Sequence, residues 1–180
     1  VSDPDEALWW ARVRAEGPLR MPAATRTPAG MLRVVEQDGE IFWLVPRPPD
    51  DVTPAVLREL QMPLLSVRHP NETNRVLAAA LRCCWTDVQA SPWPGQSATM
   101  HEVLDVVDQL IPGREREILH RFAMGAFRRL HTSRWLYIDG QAQTVRLGPW
   151  TATWPDQDIS LLRDLWREIP PPRPPGQAHR

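Results

Sequence analysis

Eight side chains between residues 113 and 150 have the types and spacing to bind a polyanion: Arg114, Arg116, Arg121, Arg128, Arg129, Arg134, Gln143 and Arg146. Arginine offers a planar fork of N–H donors that matches phosphate or carboxylate, and it stays charged at every physiological pH. Within 113–134 only Glu115 and Glu117 oppose this run, so the segment is basic in a chain whose formal net charge is −1. On one helix face beside a pair of strands, these groups would straddle a DNA backbone. Such binding carries little sequence preference and weakens steeply with salt. The alternative is internal: the same arginines can pair with acidic patches at Asp105 and Asp108 or at Asp156 and Asp158.

The other reactive residues suggest less. Glu117 and His120 have the Glu-x-x-His spacing of di-iron carboxylate bundles, but those sites need a second copy and two further glutamates on facing helices. A solvated helix face explains the pair. His101, Glu102 and Asp105 imitate an acid–base cluster and are better read as the ordinary acidic start of a helix. His131 falls at the end of the basic helix, where a cation suits the dipole. Cys83 and Cys84 are adjacent, cannot staple distant loops and lack metal-ligand spacing, so reduced thiols buried in a helix are expected. There is no phosphate-cradling glycine loop, no G-x-S-x-G elbow and no H-E-x-x-H. The expectation is a protein with no catalytic residue, no metal and no cofactor.

The basic residues must be positioned by a helix and a hairpin. Ile118, Leu119, Phe122, Ala126, Phe127 and Leu130 form the one-sided apolar stripe of a half-buried helix, with most arginines off it. Residues 135–138 (WLYI) and 144–147 (TVRL) read as strands, and Asp139-Gly140 supplies a turn that accepts positive φ. Gly148-Pro149 ends the second strand. This order, arginine-rich helix and then hairpin, resembles the recognition helix and wing of a winged-helix domain. In that family two apolar positions like Phe127 and Leu130 close the helix, followed by a glycine, whose place Arg134 takes here. A complete winged helix also has three helices before its wing, and 71–88 would have to supply one. The layout is similar to winged-helix accessory subunits of SMC-type complexes. That resemblance implies DNA contact or docking on a larger protein complex.

Taken in order, the chain predicts a short helix over 5–15 with Leu8, Trp9 and Val13 on its buried side, then a connector and a hairpin over 31–45. An Asp38-Gly39 turn would pair Val35 with Phe42 and Val34 with Trp43. Short helical and strand segments follow at 53–60 and 64–67. Asn71 caps a helix whose stripe is Val76, Leu77, Ala80, Leu81, Cys84, Trp85 and Val88. Thr99 and Glu102 form a capping-box pattern, and Ile159, Leu162, Leu165 and Trp166 mark a last helix. The fold class expected is α+β: an N-terminal α+β region over 1–90, a linker at 91–98, a winged-helix-like region over 99–169 and a disordered proline-rich tail at 170–180. The two Asp-Gly hairpins also suggest a tandem repeat.

Composition sets the bounds. At 180 residues the chain can form one domain or two small ones. The balance of 21 basic and 22 acidic residues excludes a wholesale nucleic-acid coat or a polybasic membrane surface. All the basic residues are arginine, the usage of a high-GC bacterial genome. No apolar run reaches the roughly 20 residues of a membrane span, and the start does not resemble a signal peptide, so a cytoplasmic protein with no membrane partner is expected. Nine tryptophans and twenty prolines support an alternative reading as a protein-interaction adaptor with a tryptophan-rich surface. An enzyme of unfamiliar type is the third reading.

Overall fold

The computed structural model describes residues 4–47 and 71–174. The chain divides into two compact units, Val1–Leu65 and Ser66–Arg180, both of mixed helix and strand. The segments 53–60 and 64–67 lie outside the described residues.

In the first unit, helix α1 (Pro4–Glu16) ends at Gly17, whose φ of +79° lets its N–H donate to Val13 O at 2.9 Å. Strands β1 (Leu19–Pro22), β2 (Met31–Val35) and β3 (Ile41–Pro46) form an antiparallel sheet in the order β1-β3-β2. Val13 joins Leu19, Met31, Phe42 and Leu44 in a core, with Trp9, Trp10 and Met21 packed against it. Leu8 is exposed, so Trp10 takes the place expected for it. The hairpin register matches the predicted one, Val34 opposite Trp43 and Val35 opposite Phe42. Its turn is looser than two residues: Gly39 N–H donates to Glu36 O, and Gly39 itself sits at φ +72°. The connector is tied down as well. Arg33 donates to Ala23 O and Thr25 O while its guanidinium lies 3.6 Å from the Phe42 ring centre.

The second unit begins with α2 (Glu72–Cys84), capped by Asn71, whose side chain accepts from Asn74 N–H at 2.8 Å. Strand β4 (Ala98–Thr99) leads into α3 (Met100–Leu110). The predicted capping box is present: Thr99 Oγ1 accepts from Glu102 N–H at 3.1 Å, and the Glu102 carboxylate accepts from Thr99 N–H at 2.7 Å. Helix α4 (Arg116–Thr132) runs unbroken through Gly125. Strands β5 (Leu136–Asp139) and β6 (Thr144–Leu147) complete a second sheet in the order β4-β6-β5. A 3-10 turn (Pro149–Thr153) and α5 (Asp156–Glu168) follow. Helix α2 is central: it packs on α3, α4 and β6, burying Val76, Leu77, Leu81, Cys84 and Trp85 against Val103, Val106, Phe127, Leu130, Val145 and Leu147. Burying each of these side chains contributes about 1.5–3 kcal/mol before entropy is counted.

The division falls at 65/66, and 91–98 folds back onto α2 instead of linking two units: Gln96 N–H donates to Cys84 O at 2.8 Å. Gly95 sits there at φ +62° with Cys84 O only 2.9 Å from where a Cβ would stand. The hairpin turn at 139–144 uses no positive φ at Gly140. Asp139 Oδ1 accepts from Gln141 and Ala142 N–H, and Gln143 takes the left-handed conformation at φ +53°. The first part of the proline-rich tail is docked, not solvated, because Arg173 bonds Asp105 through both backbone N–H and guanidinium and Gln109 donates to Pro171 O. The first unit places no helix between its first strand and its hairpin, unlike the second, so the two do not repeat one element order. No tryptophan is exposed: Trp43, Trp85, Trp135 and Trp150 are buried and the other five are half-buried. Only those five reach the surface.

Candidate interaction surface

Helix α4 turns Leu119, Ala123, Ala126, Phe127 and Leu130 into the core. These recur at spacings of three and four and define one face. Ile118 and Phe122 each precede a buried position by one residue, a rotation of about 100°, which carries them out of the core. They are 40% and 48% exposed, and Met124 is 37% exposed. The predicted apolar stripe is thus narrower by two residues. Half of the large hydrophobic side chains exposed among the described residues belong to this one helix.

The predicted basic residues separate into three groups. Arg121 and Arg128 are exposed, two turns apart on the face opposite the core, and the side chain of neither hydrogen-bonds or ion-pairs with any described residue. Arg114, Arg116 and Arg129 are engaged at the flanks of the helix. Arg114 pairs with Glu72 and sits 5.7 Å from the Phe122 ring centre, while Arg129 donates to Thr73 Oγ1 at 3.1 Å. Gly125 leaves room for this, since the Arg129 guanidinium passes 3.4 Å from where its Cβ would be. Arg116 bonds Asp108 at 3.0 Å, and His120 meets the same carboxylate at 3.0 Å. Asp108, whose side chain is 9% exposed, is the acidic hub the sequence offered as one internal partner. Asp105 serves Arg173 instead, at 3.0 Å. Asp108, Arg114, Arg116 and Arg173 line, with Gln109, Pro170 and Leu119, a shallow cavity of about 550 Å³ between the α3–α4 turn and the tail.

The third group belongs to the hairpin. Arg146 lies 4.7 Å from the Tyr137 ring centre and 5.8 Å from that of Trp93, a cation–π arrangement across the β5–β6 pair. Gln143 donates to Gly140 O at 2.6 Å while its carbonyl accepts from Met100 N–H, joining the turn to the start of α3. Arg134 follows the last turn of α4 at φ +63°, the left-handed conformation that glycine adopts without strain.

His131 does not act as the cation expected at the helix end. Its Nδ1 accepts from Ile138 N–H at 3.1 Å, which requires that nitrogen to be unprotonated and fastens β5 to α4. Burial, reinforced by nearby Arg134, lowers its pKa below 6.5 against an opposing backbone hydrogen bond at Leu136. The unfolded chain therefore takes up the proton first. The stability this histidine contributes is complete above about pH 6.5 and is lost as the pH falls through the lowered value. His131→Asn keeps an acceptor but cannot titrate. Melting temperatures from pH 7.5 to 5 should fall more steeply for the wild type than for this variant, and parallel curves would contradict the assignment.

The two cysteines are held as thiols. Burial pushes both the Cys83 and Cys84 thiols up to about 12, and Cys84 Sγ donates to Val145 O at 3.4 Å. Thiols so protonated are poor nucleophiles. Among the described residues no group of three or more His, Cys, Asp or Glu side chains comes together to hold a metal ion, and no helix is long and apolar enough to cross a membrane. Set against known protein families, curated proteins and solved structures, the chain matches none.

Proposed function

We propose that this chain is a non-enzymatic accessory protein whose second unit is winged-helix-like and docks on a larger nucleic-acid-processing complex. Three helices, α2, α3 and α4, precede a two-stranded hairpin, and the last leads directly into it, which is the order expected of a recognition helix and wing. Arg134 adds support, since it holds a left-handed φ at the position where that family places glycine. The observation that carries the docking role is the outward face of α4. There Arg121 and Arg128 have no carboxylate partner among the described residues and alternate with exposed Ile118, Phe122 and Met124.

The same two arginines favour a second reading, direct contact with a DNA backbone. They stand about 10 Å apart along the helix. The other predicted contacts, engaged within the unit, would add little. Fluorescence anisotropy with a duplex across a salt series, on wild type and Arg121→Ala/Arg128→Ala, tests the choice. Docking predicts only non-specific affinity, with dissociation constants of about 10⁻⁴–10⁻⁶ M and almost no change in the double variant. A tighter complex that the variant loses would favour DNA contact.

A further inference from the structure

We infer that the outward face of α4 is a docking surface for an acidic amphipathic segment of a partner protein, with Ile118 and Phe122 as its apolar anchors and Arg121 and Arg128 as its charge readers. This rests on the docking reading above and names the chemistry of the partner. Ile118 and Phe122 are one turn apart and 40% and 48% exposed, so they present one continuous apolar strip. Arg121 lies between them in sequence, and Arg128 repeats its position two turns on. Glu117 is the one acidic residue within the helix, whose other charged side chains are arginines apart from its histidines. The strip is held in place from the side, since Arg114, clasped by Glu72, reaches over the Phe122 ring and Arg129 is tied to Thr73. Fixing these long side chains beforehand reduces the ordering cost of binding.

Two features of the face select the occupant. Aliphatic Ile118 and Met124 gain by covering with other apolar side chains, which a phosphate backbone does not offer. Two arginines without carboxylate partners then choose carboxylates over ammonium groups. A second copy is the weaker candidate. Its helix with the most acidic side chains, α5, exposes only Leu161 among its large apolar side chains, and Asp164 is already bonded to Arg167 at 2.7 Å.

The test uses the full chain in amide NMR titrations with three probes: a synthetic helical peptide bearing leucine and glutamate on one face, its lysine-for-glutamate counterpart, and a single-stranded oligonucleotide. The glutamate peptide is expected to bind and to perturb amides of α4 around Ile118 and Phe122. Ile118→Asp/Phe122→Asp should weaken it at least about 30-fold. Arg121→Glu/Arg128→Glu should weaken it about tenfold and create affinity for the lysine peptide. That exchange of preference is something a merely destabilised variant would not show, and all four positions are exposed. Equal binding of the two peptides, preferential binding of the oligonucleotide, or self-association of the chain that Phe122→Asp abolishes would each overturn the inference. Equal binding of the two peptides around Ile118 and Phe122 would overturn the acidic partner alone and leave docking on this face intact. Glutamate-peptide perturbations confined to the first unit would overturn the face and the docking reading with it. No binding of any probe would overturn both.

Discussion

Replacing Gly148 by alanine is expected to destabilise the second unit by about 3 kcal/mol or more. Gly148 N–H donates to Trp135 O at 2.8 Å where the chain leaves β6. A Cβ there would lie 2.1 Å from Arg134 O and 2.6 Å from Trp135 C. Both are backbone atoms, so no rotamer change relieves the overlap, and the strand must move away from the end of α4. The residue's φ is −90°, which alanine tolerates, so the effect is steric alone. Gly39→Ala is the instructive contrast. That site is open but has φ +72°, so its cost is the left-handed backbone, about 1–2 kcal/mol. Urea unfolding of both variants checks the order, and a Gly148→Ala protein as stable as Gly39→Ala would contradict the packing described.

Two phenylalanines five residues apart on α4 should behave in opposite ways. Phe127 is fully buried, so Phe127→Ala removes a ring from the junction of α4 with the rest of the core and should cost about 3–5 kcal/mol. Phe122 is 48% exposed, and Phe122→Ala should change stability by no more than about 0.5 kcal/mol. The pair therefore separates folding from docking on one helix. If binding is lost in Phe122→Ala at unchanged stability, the surface role stands. Equal destabilisation by the two substitutions would mean that the helix is rotated from the orientation described.

The sequence made the local structure legible and left the faces of the central helix ambiguous. Thr99 with Glu102, Asn71 and the register of Val34 opposite Trp43 were readable because caps and short hairpins depend on neighbours within a few residues. Ile118 and Phe122 were not. A stripe counted by hydrophobicity admits any apolar residue near the right phase, and the packing of α4 on α2, which buries Ala123 and Ala126, decides where the buried face ends. The arginines were identifiable by type but not by partner. Asp108 reaches Arg116 and Glu72 reaches Arg114 from other helices, 8 and 42 residues away, and no local pattern encodes those pairings. The fate of the linker turned on similar long-range facts, since the Gln96–Cys84 bond depends on α2 ending where it does. What could have been anticipated is the contrast between Arg121/Arg128 and the flanking arginines: a seven-residue interval keeps two residues on one face, and that face lies opposite Leu119 and Leu130.

The role of this protein turns on what covers the outward face of α4. The direct measurement is photo-crosslinking in the source cell from a benzoylphenylalanine placed at Phe122, with a matched probe at exposed Leu161 on α5. Adducts are then identified by mass spectrometry. The expected product at Phe122 is a protein adduct mapping to a segment that alternates acidic and apolar residues, absent from the Leu161 sample. A nucleotide adduct at Phe122, or the same products from both positions, would contradict the account.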